Sequence, residues 1–190
     1  LMTLSATIEV LKKRQDEMPE RARAALDLLV ADVARFERLV NDLLDVSKIE
    51  SSVGAITLER ADLRGLVGSV ARELAPLLAA RHLHLVSELG DTALVAKVDS
   101  VRFAQVIRNV LANAIKFSPL GSSIEVHGQV TVDGRIHISV RDHGAGIPPA
   151  ELESIFEAFV QSSASKDGSG GTGLGLAICR KILAAHEGHI

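Results

Sequence analysis

The apolar residues of this chain change their period once, and that change divides it. Leu1, Leu4, Ile8 and Leu11 are spaced 3, 4 and 3 apart; after a polar break from Arg14 to Glu20 the pattern resumes at Leu26, Leu29, Val33, Phe36, Val40 and Leu43. Alternating 3 and 4 lays a narrow apolar stripe along a helix, as in a bundle or coiled-coil seam. It predicts two helices joined by a short turn, with Pro19 in the first turn of the second, where a missing N–H is harmless. A second stripe through Val30, Leu44 and Val46 widens the face beyond one partner. Two copies of the hairpin are therefore expected to form a four-helix bundle; the alternative is a hairpin packed on its own C-terminal domain. The run Glu50-Ser51-Ser52-Val53-Gly54 breaks the pattern, so residues 51–55 read as a hinge between a hairpin at 1–50 and a second domain at 56–190.

In that second domain strands and helices alternate. Ala55 to Leu58 reads as a short strand, Asp62 as a helix cap and Leu63 to about Ala80 as the helix. Leu83–Leu89 and Ala93–Val98 read as strands, and Val101–Phe117 as a helix capped by Asp99 or Ser100. Ile124–Val132 and Arg135–Arg141 alternate apolar with polar across Asp133-Gly134, a hairpin signal. A Gly/Ser-rich stretch from about 160 to 172 leads to a helix from Gly173 to about Ala185. The expected fold is α+β: the helical hairpin, then an α/β sandwich with helices on one face of a mixed sheet.

Composition removes several classes. With five Phe and no Trp or Tyr, the core must be built from Leu, Val, Ile and Ala. A net charge of -3 and no basic run argue against a nucleic-acid partner. The single Cys179 excludes an internal disulfide or a multi-cysteine zinc site and is expected to be buried on a helix. His82 and His84 would share one strand face, without a third ligand nearby. No stretch reaches the roughly 18–20 apolar residues of a membrane span. The best, Leu63–Ala80, is broken by Arg64, Arg72, Glu73 and Pro76, and no signal-peptide pattern opens the chain. These features predict a soluble, intracellular-type fragment.

Three polar islands interrupt the apolar sequence. Asn109, Asn113 and Lys116, at spacings 4 and 3, share one helical face with Phe117 beside them. Two amides and an ammonium make a poor core but can offer a carbonyl oxygen to a hard cation and a charge to phosphates; a solvated helix face is the alternative. Asp142 follows an alternating strand and precedes Gly144, Gly146 and Ile147, so a carboxylate meets backbone that a ligand can approach without a Cβ between; an ordinary Asp-x-Gly turn would look the same. Gly170-Gly171-Thr172-Gly173-Leu174-Gly175-Leu176 opens a helix, where free N–H groups and the dipole favour an anion; alone it could be a linker. No Gly-Lys-Ser/Thr follows, so it is not a Walker loop.

In this order the islands resemble the N, G1 and G2 boxes of the GHKL-type ATP-binding domain of sensor histidine kinases, and Ile155-Phe156-Glu157-Ala158-Phe159 matches that family's F box. The resemblance spans roughly residues 99–187. It implies ATP and Mg2+ as ligands, with Asn113 on the metal, Lys116 on a phosphate, Asn109 near the triphosphate and Phe117 against the nucleotide. Asp142 would accept the adenine amino group, Ile147 would line the base pocket, and Gly144 and Gly146 would admit it. Gly171, Thr172, Gly173, Leu174, Gly175 and Leu176 would complete the ATP site. Ala158–Gly171 would be the lid, within which Lys166 either reaches the terminal phosphate or stays solvated.

The hairpin resembles the family's dimerisation and phosphotransfer domain. There the acceptor His lies in a His-Glu-x-x-x-Pro segment, expected just ahead of Leu1, and a last strand pair is expected after Ile190. The chain thus reads as a trimmed core without an acceptor. His82, His84, His127, His137, His143 and His189 lack a following Glu, and His186-Glu187 lies outside the heptads. The implied activity is transfer of the ATP γ-phosphoryl group to a histidine, then to a response-regulator aspartate. The implied partners are a second copy through residues 1–50 and a receiver domain. The implied location is cytoplasmic, with membrane anchoring of a full-length protein left open. A GHKL ATPase of the gyrase, MutL or chaperone type would want Glu at Asn109 and has no heptad hairpin; a nucleotide sensor without activity would not need intact boxes.

Overall fold

In a computed structural model of the chain, residues 7, 10–51, 56–90, 92–165 and 171–190 are described. The chain forms two compact units, Leu1–Ser47 and Lys48–Ile190. The expected hinge at 51–55 lies, beyond Ser51, outside the described residues, as do Leu1, Leu4, Ile8, Lys166 and Gly170.

In the first unit residues 10–13 are helical and a 3-10 turn spans Gln15–Glu17; α1 spans Glu20–Ser51, its last four residues counted with the second unit. The polar break makes the turn. Gln15 Nε2 donates to Asp27 Oδ1 at 3.4 Å, and Arg23 Nη2 donates to the Met18 carbonyl at 3.4 Å. Pro19 sits just before α1, its carbonyl accepting from Ala22 and Arg23 N–H at 2.9 and 3.0 Å. Of the seam, Leu26 is buried and Val33 and Val40 are half-buried, but Leu29 and Phe36 stay 45% and 56% exposed.

The second unit follows its capping residues closely. Asp62 Oδ1 accepts from Arg64 N at 3.0 Å and starts α2, Leu63–Ala80, which buries Leu63, Val67, Val70, Leu74 and Leu78. Asp99 Oδ1 accepts from Arg102 N at 3.0 Å and starts α3, Ser100–Phe117. The helix α4 spans Gly175–Ala185 and buries Ala177, Ile178, Cys179 and Ile182. The middle helix, α3, packs against both α2 and α4.

Of the expected strand Ala55–Leu58, residues 56–58 are not strand and Ala55 lies outside the described residues; strand β1 lies at Glu59–Asp62. Pairing rather than apolarity sets it: Glu59 to Asp62 run antiparallel to β3, Val95–Val98, leaving Leu58 50% exposed. The other sheet has β4, Ser123–Val130, between β2, His84–Glu88, and β5, Ile136–Arg141; β2 is parallel to β4, and β5 antiparallel. The mixed character therefore resides in a three-stranded sheet, with β1 and β3 a separate pair. A Cβ on Gly128 would come within 2.8 Å of Leu94 and 2.9 Å of Leu89, so the segment joining β2 to β3 packs over that glycine. Ile124 and Val126 of β4 face the core that α2 and α3 share. Asp133-Gly134 falls in the β4–β5 loop, with Gly134 at φ 79° and Thr131 N donating to the Arg135 carbonyl at 2.8 Å.

His82 is not on a strand: it occupies the turn after α2 at φ 53°, and only His84 enters β2. Among the described residues no group of His, Cys, Asp and Glu is arranged to hold a metal ion, and no helix is long and apolar enough to cross a membrane. Cys179 is fully buried, its Sγ 3.8 Å from the Val106 carbonyl, and burial pushes its thiol up to about 11, which makes it inert.

Candidate functional site

The core side of α3 buries Phe103, Val106, Ile107, Leu111, Ala114 and Ile115, leaving Asn109, Asn113 and Lys116 half-buried on the other. Half-buried polar groups need partners. Asn109 has one in α4: its Nδ2 donates to the Gly175 carbonyl at 3.2 Å. Lys116 Nζ lies 4.6 Å from the Phe117 ring centroid, within cation–π range, and a Cβ on Gly171 would sit 3.9 Å from it. The Phe117 side chain is 41% exposed.

Asp142, just past β5, is exposed, and its Oδ1 accepts from Gly144 N at 2.7 Å. This is an Asx turn, and it leaves an ionised carboxylate room for further donors. The turn carries Gly144 against the end of α3. A Cβ there would meet the Phe117 carbonyl oxygen at 2.9 Å and Asp142 Oδ1 at 2.8 Å, so only glycine fits. Gly146 follows at φ 74°, and Ile147 is 40% exposed.

The third island closes on α3 from the other side. Leu174 is buried, Leu176 is half-buried, and Thr172 Oγ1 accepts from Leu174 N at 3.2 Å. Gly173, at φ 73°, lets the two ends of the Gly/Ser-rich loop touch: a Cβ there would lie 2.7 Å from the Phe159 backbone, and Phe159 N donates to the Gly173 carbonyl at 3.0 Å. The helix begins at Gly175, with no side-chain cap at Leu174. Among the described residues no side chain caps its first N–H groups, an arrangement that suits an anion. Ile155 is buried on a 3-10 turn, Ser154–Phe156, that packs against α4.

All three islands thus meet on α3: the second at Phe117, the third at Asn109 and near Lys116. Asn113, half-buried, lies between Asn109 and Lys116 along the helix. His186, the one histidine followed by Glu, has both ring nitrogens on backbone: Nε2 accepts from Asp99 N at 2.9 Å, and Nδ1 donates to the Ile182 carbonyl at 2.7 Å. Sequence reasoning misses the roles of Glu151 and Gln161 and the left-handed backbone of Phe159, at φ 67°, because their contacts span loops without periodicity.

A two-layer unit in which a central helix carries polar groups between two glycine turns defines an ATP-binding fold of the GHKL type. Residues 98–190 match the family of histidine kinase-, DNA gyrase B- and HSP90-like ATPases. The whole chain is 30% identical over 191 residues to the sensor histidine kinase MtrB of Mycobacterium leprae, covering 34% of that protein. It is similar in fold to full-length ShkA in complex with AMPPNP, with a TM-score of 0.73 at 24% identity over 97% of this chain and 41% of that one. It is also similar to the histidine kinase ThkA in complex with the response regulator protein TrrA, with a TM-score of 0.71 at 21% identity over 97% of this chain and 52% of that one. The chain is similar along its whole length to the catalytic core of sensor histidine kinases, and it spans about a third of the length of the curated relatives it matches.

Proposed function

We propose that this chain binds ATP with Mg2+ between α3, the turn after β5 and the start of α4, and transfers the γ-phosphoryl group to a histidine for relay to a response-regulator aspartate. One observation carries the reading most: α3 contacts both glycine turns, through Phe117 against Gly144 and Asn109 on Gly175. The reading assigns base, metal and triphosphate to successive groups along this helix and its neighbouring turns. Asp142 accepts from the adenine amino group. Lys116 and the uncapped N–H groups of α4 hold phosphate charge. Asn113 presents an amide oxygen, a ligand type that hard cations take. Mg2+ held there by Asn113 would neutralise charge that develops during transfer; the residues contribute positioning and electrostatics.

Asn109 favours phosphoryl transfer to protein over hydrolysis. Its Nδ2 donates to a carbonyl, so an ionised glutamate there would face that carbonyl without a donor. The partners follow from the kinship: a second copy through residues 1–50, whose Leu29 and Phe36 are exposed, and a receiver domain, as ThkA has in TrrA. We place the activity in the cytoplasm, where ATP is found. Labelled ATP tests the assignment. Supplied with a histidine-bearing hairpin, the chain should give acid-labile, base-stable label on protein. Free phosphate as the sole product would make it a hydrolase.

A further inference from the structure

Twelve residues of chain return to one carboxylate. Glu151 Oε2 accepts from Ser162 Oγ at 2.6 Å and from Ser163 N at 3.0 Å, and Oε1 accepts from Ser163 Oγ. Glu151 is itself held in a 3-10 turn, Pro149–Glu151: its N–H donates to the Pro148 carbonyl at 2.8 Å, and its carbonyl accepts from Ser154 Oγ at 3.2 Å. Two rungs then join the limbs of the Gly/Ser-rich loop, Phe159 N to the Gly173 carbonyl at 3.0 Å and Gln161 Nε2 to the Gly171 carbonyl at 2.7 Å. Hydrogen bonds therefore run from the turn after Gly146 to Gly171, beside Lys116.

We propose that Glu151 is a positioning residue for the nucleotide site: its ionised carboxylate fixes Ser162 and Ser163 and, through the Gln161–Gly171 rung, sets the backbone that faces the triphosphate. The inference rests on the ATP reading above. Glu151 touches no nucleotide; it acts only through the loop. Three donors converge on its two oxygens, an arrangement that suits an acceptor-only group. Glutamine is therefore not a conservative replacement, because its NH2 would oppose a donor.

The test compares Glu151→Gln, Glu151→Asp and the double variant Ser162→Ala/Ser163→Ala, using ATP by calorimetry and adenosine by competition against a fluorescent ATP analogue. Glu151→Gln should weaken ATP about 5- to 20-fold, toward the low end of the loss of a charge-assisted hydrogen bond because Glu151 acts only through the loop, and adenosine less than about 2-fold, since only the phosphate side is disturbed. The serine pair should reproduce the effect, the triple variant should add little, and Glu151→Asp should recover part of the affinity. Should Glu151→Gln fail to fold, the serine pair, half-buried Ser162 and exposed Ser163, gives the answer alone. Equal loss for ATP and adenosine, or no loss in the serine pair, overturns the positioning role and leaves the ATP reading standing. Absence of ATP binding by the unmutated chain overturns both.

Discussion

The side-chain amide of Asn109 donates to the backbone carbonyl of Gly175 at 3.2 Å, joining the middle helix to the start of the last one. Asn109→Asp replaces the donor by an acceptor and sets charge against a carbonyl. The carbonyl keeps the helical N–H four residues on, so the cost is the lost hydrogen bond, about 0.5–1.5 kcal/mol, with the added repulsion between charge and carbonyl. Melting should fall by about 2–4 °C per kcal/mol for a chain this size. Differential scanning calorimetry reads it, and an unchanged melting temperature would show that the contact is idle.

Gly144 and Gly65 predict opposite results for the same substitution. Gly144→Ala drives a Cβ to 2.9 Å from the Phe117 carbonyl, backbone that cannot step aside. It should destabilise by about 1–3 kcal/mol, as overpacking does, and also weaken nucleotide. Gly65 lies inside α2, and a methyl group placed there would have nothing within 4 Å, so Gly65→Ala should stabilise. The gain should be about 0.4–1 kcal/mol, from restricting the unfolded chain. Urea titration of both variants checks the sign.

Glu73 and Arg108 form a two-pronged pair between α2 and α3, at 2.7 and 2.8 Å. The Arg108 hydrogen bonds hold the Glu73 carboxyl below its ordinary value against a smaller opposing effect of desolvation. A lowered folded value means the pair contributes above the unfolded carboxylate range and is lost as pH falls through the folded value. Both side chains are largely exposed, at 50% and 40%, so the contribution is small. Glu73→Gln should cost about 0.5 kcal/mol at neutral pH and nothing in strong acid. A deficit that persists in acid would mean lost packing instead.

The seam of α1 predicts a dimer. Leu29 and Phe36 are exposed on the face that carries half-buried Val33 and Val40. Light scattering should give twice 20.2 kDa. Val33→Asp with Val40→Asp buries charge in the seam and should give a monomer that still binds ATP, because the second unit has its own core. A monomeric unmutated chain at high concentration would contradict the four-helix arrangement.

Much of the second unit is legible in its sequence, for local reasons. Asp62 and Asp99 cap α2 and α3 within a residue of where their side chains predict, because a cap is decided by neighbours a few residues away. The apolar pattern misplaces strand β1 because its position depends on β3, more than thirty residues on. His82 reads as strand because nothing local marks its left-handed turn. The islands are visible as residues that do not belong in a core. Their meeting on α3 is not, since Gly144 against Phe117 and Asn109 on Gly175 are matters of packing. The Glu151 clasp is invisible for the same reason: a carboxylate and two serines carry no period.

Calorimetric titration with ATP, with and without Mg2+, tests the nucleotide site most directly. In Asp142→Asn the retained side-chain oxygen can keep the 2.7 Å bond from Gly144 N, so the turn survives while a donor replaces the acceptor proposed for adenine. The unmutated chain should bind ATP, and this change should weaken it roughly 10- to 150-fold, the loss of one charge-assisted hydrogen bond. Asn113→Ala should weaken ATP only when Mg2+ is present. Equal affinity in Asp142→Asn and the unmutated chain, or no binding by the unmutated chain, would contradict the assignment.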